Sequence, residues 1–238
     1  MAARRSKRYR KIAEGLEGKK RAYPVEEAIK RVKAKATAKF EETVDLAIKL
    51  DIDTKQADQL VRGSLSLPHG IGKAVRVVAF CEGDMAAAAE AAGAAAVGAQ
   101  DLADRIAGGW LEFDVAIAHP AMMRHISKLG KVLGPKGLMP SPKGGTVTDK
   151  VAEAVREFAA GKIEFRNDKE GNVHMVVGKA GFPEQSLVDN VNAALAHIKG
   201  IRPAAVKGDF MTGAYVSSTM GPSFRLQIAP GDAGAAEK

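Results

Sequence analysis

The sequence predicts two domains of different class: an α+β domain assembled from both chain ends, and a three-layer α/β domain inserted within it. Three observations carry this. Between Gly70 and Phe158 short continuous apolar runs alternate with helical stretches, as doubly buried strands and their covering helices do. The flanking segments instead show period-two alternation, the mark of a sheet with one packed and one wet face. Charge divides along the same line. Residues 70–158 hold ten Lys/Arg and ten Asp/Glu, whereas 1–69 hold 17 and 10, and 159–238 hold 9 and 8. The expected domains are therefore 1–69 with 159–238, and 70–158, joined through "SLPHGIGK" and "AAGK".

Taken in order, the first 21 residues hold nine basic and two acidic side chains. A basic arm of that composition is expected to be disordered until it meets a polyanion. Pro24 opens a helix, "PVEEAIKRVKAKA", with Val25, Ala28, Ile29 and Val32 on one face. "FEETVDLAIKLDI" then alternates: Val44, Leu46, Ile48, Leu50 and Ile52 point one way, Thr43, Asp45, Lys49 and Asp51 the other. In the insert, "AVRVVAF" reads as a buried strand, and "DMAAAAEAAGAA" as a helix capped by Asp84. "FDVAIAHP" is a second strand stopped by Pro120, and "TDKVAEAVREFAAG" a helix ending at glycine. Beyond it, "KIEFRNDKEGNVHMVVG" reads as a hairpin with a polar turn. "PEQSLVDNVNAALAHIKG" is an amphipathic helix and "GAYVSSTMGPSFRLQI" a closing strand.

Composition removes several classes of function. No run of eighteen apolar residues exists to span a membrane. The basic N-terminus has no apolar stretch of the kind a secretory signal needs. The single cysteine, Cys81, is expected as a small buried side chain in a reducing cytosol. Nor does the chain carry a phosphate cradle. From Gly130, Gly134 or Gly137 the glycine required before lysine falls on Pro135, Met139 or Pro142, and proline removes the amides a cradle uses. "GIGK" at 70–73 lacks the third glycine of a dinucleotide loop. His119 and His125 are six apart, not the four that share a helix face, which disfavours zinc. Adjacent carboxylates such as Glu26/Glu27 and Glu41/Glu42 diverge, and are expected as solvated surface. No enzyme activity, cofactor or metal is expected.

A net charge of +8 points to a polyanionic partner, and it belongs to the domain built from the chain ends. One acid-free stretch lies elsewhere. Between Asp114 and Asp149 the insert carries Arg124, Lys128, Lys131, Lys136 and Lys143. Within it, "GKVLGPKGLMPSPKGGTVT" (130–148) is either a basic surface for RNA phosphates or a long connection shaped by Gly and Pro. Two other classes of function stay in view: a nucleotide-dependent enzyme using the insert, and a basic scaffold without sequence preference.

"GKVLGPKGLMPSPKGGTV" resembles the signature of the large-subunit ribosomal protein one family. "ATAKFEETVDLAIKLDID", "DQLVRGSLSLPHGIGK", "GKIEFRNDKEGNVH" and "YVSSTMGPS" resemble further family segments in the family's order, from about residue 6 to residue 228. The likeness is to a bacterial member. It implies an RNA-binding domain made from both chain ends with a Rossmann-like domain inserted. It also implies a structural, cytoplasmic protein, monomeric when free. The implied partners are the ribosome, the large-subunit rRNA stalk beside the exit site, transient exit-site tRNA and the mRNA of its own operon. The implied roles are release of deacylated tRNA and repression of that messenger.

The resemblance places RNA contacts on three segments. In "KFEET" these are Phe40 and Thr43, with Lys39 adjacent: an aromatic can stack on a base, and a hydroxyl can reach a 2′-OH. Packing of Phe40 in the core is the competing reading. In "FRNDKEGNVH" they are Arg166, Asn167, Asp168, Lys169, Gly171 and His174, where cations suit phosphates and amides suit sugars. A plain solvated turn is the alternative there. In "SSTMGPS" they are Ser217, Ser218, Thr219, Met220 and Gly221, small hydroxyls beside a glycine that permits close approach. A family serine five residues before the STMG segment aligns with Gly213. Lys131, Lys136 and Lys143 are the candidates for a secondary basic surface.

Overall fold

The computed structural model describes residues 6–13, 21–206 and 208–228. The chain divides into two compact units. The first comprises the described parts of Met1–Val61, Leu67–Gly72 and Phe165–Lys238; the second comprises Arg62–Ser66 and Lys73–Glu164. Relative to the sequence-based division, residues 70–72 fall in the first unit, and residues 62–66 and 159–164 in the second, where the strand over 62–66 pairs with the one that begins at Lys162.

The elements run α1 (Lys7–Ala13), β1 (Ala22–Tyr23), α2 (Val25–Lys35) and β2 (Thr43–Leu50), then β3 (Arg62–Ser66). The second unit continues with β4 (Val77–Phe80), α3 (Asp84–Ala91), β5 (Ala96–Gly98), α4 (Gln100–Ala107) and β6 (Val115–Ala118). After it come α5 (Met123–Ser127), α6 (Gly130–Leu133), α7 (Val151–Ala159) and β7 (Lys162–Arg166). The chain closes with β8 (Asn172–Lys179), α8 (Glu184–Gly200), β9 (Met211–Ser218) and β10 (Ser223–Leu226).

In the first unit the strand order is β1-β10-β9-β2-β8, antiparallel throughout except for the parallel β1–β10 edge. Alternation decides which face is buried. Val44, Leu46, Ile48 and Leu50 of β2, Val173, Met175 and Val177 of β8, and Ala214 and Val216 of β9 are all buried. They meet the apolar stripes of α2 (Ala28, Ile29, Val32) and α8 (Leu187, Val191, Ala194, Ile198). Each such Val, Leu, Ile or Met side chain contributes about 1.5–3 kcal/mol by leaving water. Asn190 is the polar member of that stripe. Its Nδ2 donates to the carbonyls of Val177 (2.8 Å) and Gly70 (3.0 Å), and its Oδ1 accepts from His69 N (3.1 Å). It therefore ties the 67–72 segment to the helix.

The second unit has a parallel sheet of order β5-β4-β6. Successive β4 residues point to opposite layers. Val78 and Phe80 pack with Leu102, Ile106, Ile126 and Leu133 on one side. Val77 and Ala79 pack with Ala89, Val155 and Phe158 on the other. Cys81 is buried at the end of β4, and burial pushes its thiol pKa up, with Glu90 adding to the rise.

Four local expectations are corrected. Residues 162–178 are not one hairpin. β7 pairs with β3 and β8 with β2, and only an Asn167–Val173 bridge joins them. Asn167 diverts the chain, since its N–H donates to Val61 O and its Oδ1 accepts from Val61 N, both at 3.0 Å. The single closing strand is two, because the Gly221 N–H donates to Ser218 O (3.0 Å) and reverses the chain. Asp84 lies in the first turn of α3, whose cap is Gly83 at φ 64°. Part of the basic arm is ordered: α1 buries Ile12, and Arg8 reaches into the first unit. Residues 1–5 and 14–20 of the arm lie outside the described residues.

Candidate nucleic-acid interface

Two of the three candidate segments meet at one end of the first unit's sheet. β2 and β9 pair antiparallel, with Val44 opposite Ser218 and Asp45 opposite Ser217. The start of β2 therefore lies against the turn after β9. Hydrogen bonds fasten them. Thr219 N donates to Thr43 O (3.0 Å), Thr43 N donates to Thr219 Oγ1 (3.0 Å), and that hydroxyl donates back to Thr43 O (3.2 Å).

The fastening is completed by a residue read from sequence as solvated surface. Glu42 is 2% exposed. Its Oε1 accepts from Ala38 N (2.9 Å), ahead of Lys39 and Phe40, and its Oε2 accepts from Met220 N (3.0 Å). Burial by itself would raise the Glu42 pKa. The Ser218 hydroxyl, the two amides and Arg8 outweigh it, so the carboxyl lies below its ordinary range. Arg8 also donates to Met220 O (2.6 Å) and Thr37 Oγ1 (3.1 Å). The correction has a simple cause: Glu42 follows the strand's inward parity with Val44, and the two converging loop amides satisfy it there.

With the loops held, their apolar tips remain in water. Phe40 is 55% and Met220 48% exposed, the two most exposed large hydrophobic side chains among the described residues. Phe40 is thus not core. Lys39 and Thr219 are exposed, Ser217 is half-buried on the outward face, and Thr43 Oγ1 accepts from Lys179 Nζ (2.8 Å) with its proton free to be donated. Ser218 points inward and is buried, and its Oγ has no hydrogen bond of good geometry despite lying beside Glu42. Gly221 is needed beside it, since a Cβ there would sit 2.4 Å from Ser218 Oγ.

The third segment occupies the opposite end of the sheet. Lys49 pairs with Asn172, six residues along β2 from Thr43, or about 20 Å away. This turn is organised by Asp168. Its Oδ1 accepts from Glu170 N (2.9 Å) and Asn172 N (2.7 Å), and its Oδ2 from Asn172 Nδ2 (2.9 Å). Those bonds, the Asn172 side chain first, hold its pKa at about 2. Asn167 is buried and spends its side chain on Val61 and on Asp168 O. Gly171 is buried at φ +79°, where a Cβ would meet Leu50 O at 3.0 Å. Arg166, Lys169 and His174 face solvent. Asn167, Asp168, Gly171, Ser218 and Gly221 therefore shape the surface, and the other nine predicted residues present it.

In the second unit, Lys131, Lys136 and Lys143 are exposed, and none forms an ion pair among the described residues. Their segment is built rather than open. Leu133 is core, Leu138 and Met139 pack on the same cluster, and Ser141 N donates to the buried Thr146 Oγ1 (2.8 Å). No group of three or more His, Cys, Asp or Glu suited to a metal ion occurs among the described residues, and no helix there is long and apolar enough to cross a membrane.

A model of the Ribosomal protein L1p/L10e family matches residues 32–222. The chain belongs to that family. It is 52% identical to the large ribosomal subunit protein uL1 of Fervidobacterium nodosum, over 94% of this chain and 95% of that protein. Against uL1 of Thermus thermophilus the identity is 48%, over 92% and 96%. Against that of Leifsonia xyli it is 49%, over 95% and 98%. Membership of a family of structural ribosomal proteins also answers the question of enzymatic activity: the chain is not an enzyme. The matched span runs from within α2 to the turn after β9, and so contains the three candidate segments apart from Arg8's contribution.

Proposed function

We propose that this chain is a large-subunit ribosomal protein of the cytoplasm that binds the rRNA stalk beside the exit site through its first unit. Its RNA-binding domain is that first unit, assembled from the two chain ends, and the second unit is the inserted domain. As a monomer off the ribosome it represses the messenger of its own operon. On the ribosome it assists release of deacylated tRNA, with Lys131, Lys136 and Lys143 as the basic surface that meets it. Lys39, Phe40, Thr43, Arg166, Lys169, His174, Ser217, Thr219 and Met220 contact RNA.

One observation carries this reading. A buried carboxylate, Glu42, joins two loops that are distant in sequence, and their exposed tips are an aromatic and a methionine with hydroxyls beside them. Exposed apolar tips on rigid backbone suit a ribose or base face, and hydroxyls suit 2′-OH groups. Cations at the far end of the same sheet suit the phosphates of a longer RNA.

The test is binding across a salt series, comparing a transcript of the stalk base with a scrambled hairpin of equal length. A preference of about a thousandfold that survives at physiological salt is expected. Equal affinities that collapse together as salt rises would overturn the assigned site.

A further inference from the structure

The two proposed contact patches lie at opposite ends of one sheet, and what occupies the face between them was not predicted. Strand register answers this. His174 on β8 is opposite Ala47 on β2, Ala47 is opposite Tyr215 on β9, and Tyr215 is opposite Arg225 on β10. All four point away from the helices, since their neighbours Val173, Leu46, Val216 and Phe224 are the buried ones. The row thus carries an aromatic ring at its centre, a small side chain on one flank, and a cation on the other.

Tyr215 is 37% exposed, and neither an aromatic nor a cationic partner covers its ring among the described residues. Its posture is set by a neighbour. A Cβ at Gly213 would meet Tyr215 Cε2 at 3.1 Å and its hydroxyl oxygen at 3.4 Å. The phenol end of the ring therefore leans along the strand over Gly213 instead of standing off the sheet, and more than a third of the residue stays exposed to solvent. Beside it, Ala47 leaves space across to His174, which lies two strands from Tyr215, about 10 Å.

Resting on the reading that this unit binds RNA, we propose that this face is a stacking platform, centred on Tyr215 and floored by Ala47, for one unpaired nucleobase. The charge pattern favours a base over a phosphate. Asp45 sits in the adjacent row, opposite Val176 and Ser217, where its carboxylate repels phosphate and accepts from a ribose hydroxyl or exocyclic amine. Apart from Arg225 on the far flank of Tyr215, the cations stand beyond it: Lys179 at one end, and Lys49, Arg166 and Lys169 at the other. Phosphates on either side of the stacked nucleotide are thereby drawn to the ends of the face. The platform also makes the two patches one continuous surface.

The test uses the full chain and the stalk-base transcript, with Tyr215→Leu, Tyr215→Phe and Ala47→Gln. Loss of one base–aromatic stack weakens binding about tenfold. Tyr215→Leu is expected to show that loss and Tyr215→Phe to stay within about twofold of the parent, both with an unchanged slope of log affinity against log salt. Ala47→Gln keeps the ring but fills the space beside it, and is expected to weaken binding by a similar factor. Because it leaves Tyr215 in place, it decides the matter should Tyr215→Leu melt early. Unchanged affinity in both Tyr215→Leu and Ala47→Gln would overturn the platform. A Tyr215→Leu loss accompanied by a shallower salt slope would overturn it too, as it would mark a phosphate contact. Failure of the parent chain to prefer the transcript over the scrambled hairpin would instead overturn the underlying assignment of RNA binding.

Discussion

Glu42 shows how one buried side chain can set the geometry of residues it does not resemble. Its two oxygens serve one amide each, so Glu42→Gln leaves an NH₂ facing an N–H. The unpaired buried donor costs about 1–3 kcal/mol. Thermal unfolding should register that loss, and stalk-transcript affinity should fall as Phe40 and Met220 lose their shared anchor. The pH dependence has a definite sign. A carboxyl whose folded pKa is depressed adds stability above its unfolded value of 4.5 and loses it as pH falls through the lower folded value. The parent chain should therefore lose stability below about pH 4.5 more steeply than Glu42→Gln, as read by denaturant midpoints across that range. Equal slopes would show that Glu42 does not titrate into the fold.

At the scale of elements, two turns carry the site and each rests on an internal contact. The turn after β9 requires glycine at 221, where an added Cβ lies 2.4 Å from Ser218 Oγ but 3.6 Å from Ser218 Cβ. Gly221→Ala should therefore lower both the melting temperature and RNA affinity, and adding Ser218→Ala should restore much of each. A double-mutant cycle measures this, and strictly additive losses would refute the steric account. The turn before β8 rests on Asp168, whose pKa of about 2 lies below its ordinary 3.8. Its contribution is complete above the unfolded value and lost as pH falls from about 4 toward 2. In Asp168→Asn the Glu170 and Asn172 amides should exchange faster at neutral pH, and hydrogen exchange would show it. The turn before β8 was visible in sequence as a polar, glycine-containing segment, whereas the turn after β9 was read as part of one closing strand. That β7 and β8 part company around one of them was not, because it depends on Val61, more than a hundred residues away.

For the whole molecule, division of labour between the units gives a further prediction. Replacing Lys131, Lys136 and Lys143 together by alanine should leave affinity for the stalk transcript within about twofold, since those cations belong to the second unit. The same variant should slow release of deacylated tRNA from the exit site. Ribosome turnover assays with labelled tRNA would test it, and unaltered release would remove these lysines from the proposal. The acid-free stretch that contains them is a one-dimensional feature, and the structure adds that its cations stay in water above a segment anchored by Leu133, Leu138 and Met139.

Periodicity by itself determined the class of α2, β2, β4, α3, β6, α7 and α8, the buried faces of β2 and α2, and the change from one-faced to two-faced strands at the insert. These depend on neighbours within a few positions, which sequence displays directly. Family segments likewise marked the loops that make the candidate surface, and among them Phe40 and Met220 do stand in water. Tertiary structure alone decided which residues of those loops present themselves and which hold the others. Asn167, Gly171 and Ser218 turn inward, and Glu42, charged and next to another acid, goes into the interior. Tyr215 becomes part of a surface only through strands that bring Ala47, His174 and Arg225 into its row. The physical reason is long-range in each case: Glu42 and Asn167 are buried because distant backbone groups converge to satisfy them, Ser218 follows the inward parity of its strand, and a face exists only once strands are in register.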